Sequence, residues 1–171
     1  MAENGCGFYL HGYDGYCSLN LILSEGYLNW DGKSSWRNDE FDLTVDHFFK
    51  IAVFRQLGMD FNLSCCYIAS TKEFLFCVFL SADKESTEPY NAKITIENPS
   101  FRRQKIFYEG PVLSIEEISC IYHPEVISKS WGVSYGAIKP YLTVVKNNSG
   151  NSNPVWNVGL SAAVNVTRYE N

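Results

Sequence analysis

Three side-chain groupings in this 171-residue chain have types and spacings that could do chemistry. Cys120 stands three residues before His123, the pairing a thiol nucleophile and its general base would need. His47 follows Asp46 directly, and Glu116 and Glu117 are adjacent carboxylates. Each grouping weakens once the backbone that must carry it is considered. Neighbours in a strand point to opposite faces, so Asp46 and His47 cannot form a proton relay. Neighbours on a helix diverge by about 100°, so Glu116 and Glu117 do not converge on one atom. Cys120 and His123 run up to Pro124 and read as a structural cysteine beside a loop histidine. The chain carries no phosphate-cradling glycine loop, G-x-S-x-G elbow or H-E-x-x-H. No catalytic residue is assigned, and the expectation is a protein that is not an enzyme.

Metal chemistry fares no better. The six cysteines fall at positions 6, 17, 65, 66, 77 and 120, none in a C-x-x-C pair, and the three histidines stand apart. Zinc sites draw their ligands in closely spaced pairs, so neither metal nor cofactor is expected in this chain. Cys65 and Cys66, in a strand-like run, must face opposite ways, and Cys77 lies in Phe74-Leu75-Phe76-Cys77-Val78-Phe79-Leu80, where a thiol serves as a small hydrophobe. Reduced thiols, and a start (Met1-Ala2-Glu3-Asn4) without the basic and apolar parts of a signal peptide, point to a soluble cytoplasmic or nuclear protein. Glycosylation-type triplets at Asn62, Asn147 and Asn165 keep a secreted reading open.

The elements that would position any site are strands. Aromatics make up 15% of the residues, a load that favours strands over helices. His47 to Phe54, Phe61 to Ile68, Phe74 to Leu80, Tyr90 to Glu97, Gln104 to Tyr108, Tyr141 to Val145 and Val155 to Val166 all read as strands. Residues 74–80 are apolar at every position, as a central strand covered on both faces would be. Val158, Leu160, Ala162, Val164 and Val166 form a period-two stripe. Asp83 to Pro89 reads as a charged loop, Asn98-Pro99-Ser100 as a tight turn and Asn147 to Pro154 as a loop. Ser114 to Ile118 is a helical turn with Ser114 placed to cap it, and Pro124-Glu125 could start another. The expected fold is all-β: an antiparallel β-sandwich of about eight strands with one or two short helical turns.

Net charge is −5, too acidic for a nucleic-acid or anionic-membrane footprint, and no apolar run reaches the length of a membrane span. The acidity is uneven: residues 1–46 hold eight acids and two bases, with Asp39, Glu40, Asp42 and Asp46 clustered. Beside that cluster lies the aromatic-rich stretch Phe41 to Phe54, the surface best suited to grip an extended peptide along a sheet edge. Arg102-Arg103 reads as a solvated strand edge rather than an anion site.

The strand order resembles the substrate-binding domain of the seven-in-absentia family of RING ubiquitin ligases, a TRAF-like β-sandwich. Phe61 to Ile68 and Glu73 to Leu80 look like its paired central strands, and Tyr90 to Ile96 like its A-x-x-Y-x-x-x-L strand with Ala and Tyr exchanged. Arg102-Arg103 with Ile106 and Phe107 resembles its double-arginine turn. Pro111 to Glu117 resembles its P-x-S-I-x-E motif with one extra residue, and Asn157 to Val166 its closing strand. The resemblance implies a TRAF-like sandwich over residues 41–171, preceded by residues 1–40 as strands or an arm of uncertain role. It also implies a domain that recruits a protein or peptide partner for ubiquitination and tends to form homodimers. Zinc would belong to upstream RING and zinc-finger modules. The family's aspartate–tryptophan strand start falls here on Asp46-His47, which makes Asp46, His47, Phe49 and Ile51 the expected partner-binding residues. A reading from another class is a lectin or receptor-binding sandwich in which Trp30, Trp36, Trp131 and Trp156 stack on sugars.

Overall fold

A run with apolar residues at every second position must lay one face on a core, and a run apolar throughout must be covered on both. The computed structural model describes residues 8–10, 16–24, 28–30, 41–44, 47–97, 105–118, 129–147 and 155–169. They form an all-β sandwich in which one sheet curls into a half-barrel. In chain order the strands are β1 (Phe8–Leu10), β2 (Tyr16–Ser24), β3 (Leu28–Trp30), β4 (Phe41–Leu43), β5 (His47–Gln56), β6 (Met59–Ile68), β7 (Glu73–Leu80), β8 (Tyr90–Glu97), β9 (Ile106–Pro111), β10 (Leu113–Ser114), β11 (Trp131–Ser134), β12 (Thr143–Asn147) and β13 (Val155–Arg168).

One sheet runs β1-β2-β13-β8-β9, with β12 paired to the first part of β13. The other runs β10-β7-β6-β5, with β11 also paired to β7. β10 joins β7 in parallel, and β3 and β4 form a separate antiparallel pair. The sheets approach each other most closely where β5 meets β1 and β2. Between them lies the main core. The stripe Val158, Leu160, Ala162, Val164 and Val166 is buried there, opposite Phe48, Phe54, Phe61, Leu63, Phe74, Phe76 and Val78 of the second sheet. Phe48, Tyr67, Phe74 and Tyr135 form a chain of ring contacts through it.

The apolar run of β7 is covered twice, as expected. Phe74, Phe76 and Val78 enter the main core, while Cys77 and Phe79 enter a smaller cluster with Leu113 and Ile118 on the other face. That second layer is held by α2 (Ile115–Ile118), following α1 (Lys84–Thr87) in the chain. Ser114 caps α2 as its position predicts: its Oγ accepts from the Glu117 N–H at 3.2 Å, and the Glu117 carboxylate accepts from the Ser114 N–H at 3.0 Å. This reciprocal pair is a capping box.

The structure corrects three local expectations. The charged stretch 83–89 contains the α1 turn, because the Asp83 carboxylate accepts from the Ser86 N–H at 2.8 Å and so caps it. Tyr141 opens no strand: it ends a 3-10 turn over Lys139–Tyr141, since Pro140 suits the start of a helical turn, and β12 begins at Thr143. That turn follows α3 (Tyr135–Ile138), which Ser134 caps by accepting from the Ala137 N–H at 3.3 Å. Short helical turns thus number more than the one or two expected. The expected turns at 98–100 and 124–125 lie outside the described residues, as do all but Asn147 of the loop 147–154.

Candidate functional site

The sequence places the candidate site on β5, and its alternation decides which side chains are offered. Phe48, Lys50, Ala52 and Phe54 point into the sandwich and are buried. His47, Phe49, Ile51 and Val53 therefore share the outer face, with residues two apart separated by about 6.6 Å along the strand. His47 is exposed, Phe49 and Ile51 are half-buried, and Val53 is 39% exposed. Three of the four expected partner-binding residues thus stand in one row. Asp46 lies outside the described residues.

β5 ends its sheet. It pairs with β6 alone, and among the described residues no strand pairs with its other edge. Its outer face continues onto β6 and β7 in register: Phe49 beside Cys66 and then Leu75, Ile51 beside Ser64 and then Cys77, Val53 beside Asn62 and then Phe79. Ile51 packs against the Cys77, Phe79, Leu113 and Ile118 cluster. The result is an apolar face with an imidazole at one end, closed on the far side by β10 and α2.

The thiols on and near this face are held protonated. Burial pushes Cys66 up to about 11 and Cys17 up to about 12. Burial also raises Cys77, against hydrogen bonds from Ser64 and Ser130 that lower it; Ser64 Oγ and Cys77 Sγ are 3.0 Å apart. Cys65 faces the main core, opposite in direction to Cys66, and burial raises it well above the usual thiol value. A protonated, buried thiol is a poor nucleophile, so these four carry no covalent chemistry. All four are free cysteines.

The other groupings separate. Glu117 is occupied by Ser114 and by an ion pair with Lys129. Burial opposes its ionisation, but the bonds from Lys129 and Ser114 outweigh this and hold its carboxyl below the usual value. Glu116 is exposed beside it. Cys120, His123, Arg102 and Arg103 lie outside the described residues. Among the described residues no group of three or more His, Cys, Asp or Glu could hold a metal ion. Trp131, a sugar-stacking candidate, packs its ring against Tyr108 at 5.7 Å and Phe76 at 5.5 Å, and both of these contacts are structural. The side chains of Trp30, Trp36 and Trp156 are outside what the structure describes.

One residue the motif search passed over is Lys50, 2% exposed and the only charged side chain buried among the described residues. It lies opposite Cys65 and lines a cavity of about 20 Å³ with Leu19, Leu43, Phe74, Leu142 and Leu160. That volume holds about one water and no larger ligand. The signal for its burial was available, since Lys50 is in phase with Phe48, Ala52 and Phe54. No helix among the described residues is long and apolar enough to cross a membrane. No protein-family model matches the chain, and no curated protein matches it significantly in sequence.

Proposed function

We propose that the chain is a partner-recruiting domain that binds an extended peptide along β5, as the substrate- or adaptor-recruiting part of a TRAF-type ubiquitin ligase or adaptor. The observation that carries the reading is the outer row His47, Phe49 and Ile51 on the last strand of its sheet. Half-buried rings and branched chains at alternate positions suit the pockets that read a strand-like peptide, while an unpaired backbone edge suits its main-chain bonds. The ligase context rests on the family resemblance of the strand order and of the Pro111 to Glu117 motif.

The test is selection of peptides on the chain from a displayed random library, followed by titration of a selected peptide into wild type and H47A/F49A. The double variant is expected to bind at least tenfold more weakly while keeping its circular dichroism and unfolding midpoint. Undiminished binding by a folded variant overturns the placement on β5. A library that yields no peptide overturns the recruiting function.

A further inference from the structure

We propose that β9 is the docking edge for a second copy of this chain, the two β9 strands pairing antiparallel about a two-fold axis at Phe107 and joining two six-stranded sheets into one. β9 is the last strand of its sheet, paired with β8 alone among the described residues. The hydrogen-bond phase tells which backbone groups it leaves over. The Val112 N–H donates to the Tyr90 carbonyl at 3.3 Å, in register with the β8–β9 ladder, where Asn91 faces Pro111 and Ile96 faces Ile106. Paired bonds of an antiparallel ladder recur at every second residue. Gly110, Tyr108 and Ile106 therefore turn their polar backbone groups to β8, and Lys105, Phe107, Glu109 and Pro111 turn theirs away. Pro111 has no N–H to offer on that side, the placement proline takes at a sheet edge.

The same odd-numbered residues carry the exposed side chains. Lys105, Phe107 and Glu109 are all exposed, Phe107 at 64%, with the Lys93 ammonium 4.7 Å from its ring centroid. In a pair centred on position 107, Phe107 faces its own copy and each Lys105 faces Glu109 of the other chain. The order Lys-x-Phe-x-Glu is its own complement when reversed, which singles out a second copy over an unrelated strand. Centring on 105 or 109 instead sets like charges opposite each other, which is unfavourable. Lys105 also lies 3.3 Å from Glu97 in an exposed pair, a contact weak enough to be shared. An edge this short buries little area, so the dimer forms with rising concentration rather than permanently.

The experiment is sedimentation of the 171-residue chain over a wide concentration range, with K105E, E109K and K105E/E109K and circular dichroism as the folding control. Wild type and the doubly swapped variant are expected to dimerise alike. Each single variant, which sets two like-charge pairs across the axis, is expected to dimerise at least tenfold more weakly. An equimolar mixture of the two single variants is expected to recover dimers, since each then meets its complement. A wild type that stays monomeric, folded single variants that dimerise as wild type does, or a mixture that recovers nothing overturns the proposal. β9 and β5 belong to different sheets, so this result and the peptide titration stand or fall separately.

Discussion

Gln56 bonds the backbone of β13 on either side of Asn165: its Nε2 donates to the Val164 carbonyl at 2.7 Å and its Oε1 accepts from the Val166 N–H at 2.7 Å. β2 leaves β13 at Ala163, so this edge of β13 has no strand beside it among the described residues. The side-chain amide supplies there the donor and acceptor that one residue of a neighbouring strand would, and it ties the end of β5 to the opposite sheet. Gln56→Leu keeps the bulk and removes both partners. The expected loss is about 1–3 kcal/mol, read as a lower urea midpoint at unchanged m-value.

The β5–β6 hairpin turns through Leu57 and Gly58, with φ of 52° and 72°. A two-residue turn with both φ positive favours Asn-Gly, and leucine in the left-handed region is strained. Leu57 is 56% exposed and gives up little packing. Leu57→Asn is expected to stabilise by about 0.5–1 kcal/mol in thermal or urea unfolding. Gly58→Ala is expected to lose about 1 kcal/mol through φ alone, since an added Cβ there meets nothing within 4 Å.

The capping box of α2 is acid-sensitive. The Glu117 carboxyl is held below its ordinary value of 4.5, so its contribution to stability is complete above that pH and is lost as pH falls through the lower, folded value. Ser114→Ala is expected to cost about 1 kcal/mol at neutral pH. Glu117→Gln should flatten the acid limb of the stability profile, with denaturant titrations between pH 3 and 7 as the check.

The buried thiols act at the other end of the scale. Folding keeps Cys17 and Cys66 protonated to about 12 and about 11, against an ordinary value of 9.0. Their contribution is therefore complete below about pH 9 and is lost as pH rises toward the folded values. Ellman's reagent at pH 8 is expected to reach Cys17, Cys65, Cys66 and Cys77 at least tenfold faster in guanidinium than in buffer, followed by mass spectrometry of labelled peptides.

Where one face is buried and the other wet, the sequence could be read directly. β5, β6, β8 and β13 follow from alternation within a few residues, and α2 follows from Ser114 and Glu117, because both signals are local. The outer row of β5 was legible for the same reason. β2 carried an alternation too, in Cys17, Leu19, Leu21 and Leu23, yet only its pairing with β13 explains why it is a strand inside a sheet. The second apolar layer over β7 was legible as a need for cover but not as β10 and α2, since Leu113 and Ile118 come from far along the chain. The Gln56 bridge joins residues more than a hundred positions apart, and no local pattern announces it.

The place of β13 bears on how the chain is made. It pairs with β2, β12 and β8, and Tyr16 finds its partner Ala163 only near the far end of the sequence. During synthesis the hairpins β5–β6 and β6–β7 can close as soon as they leave the ribosome, whereas β2 and β8 must wait with open edges for the last strand. Pairings of such long sequence separation are slow to form. Waiting edges of this kind are where a nascent chain meets chaperones or sticks to its neighbours, and β13, by arriving last, turns a half-open sheet into a finished one.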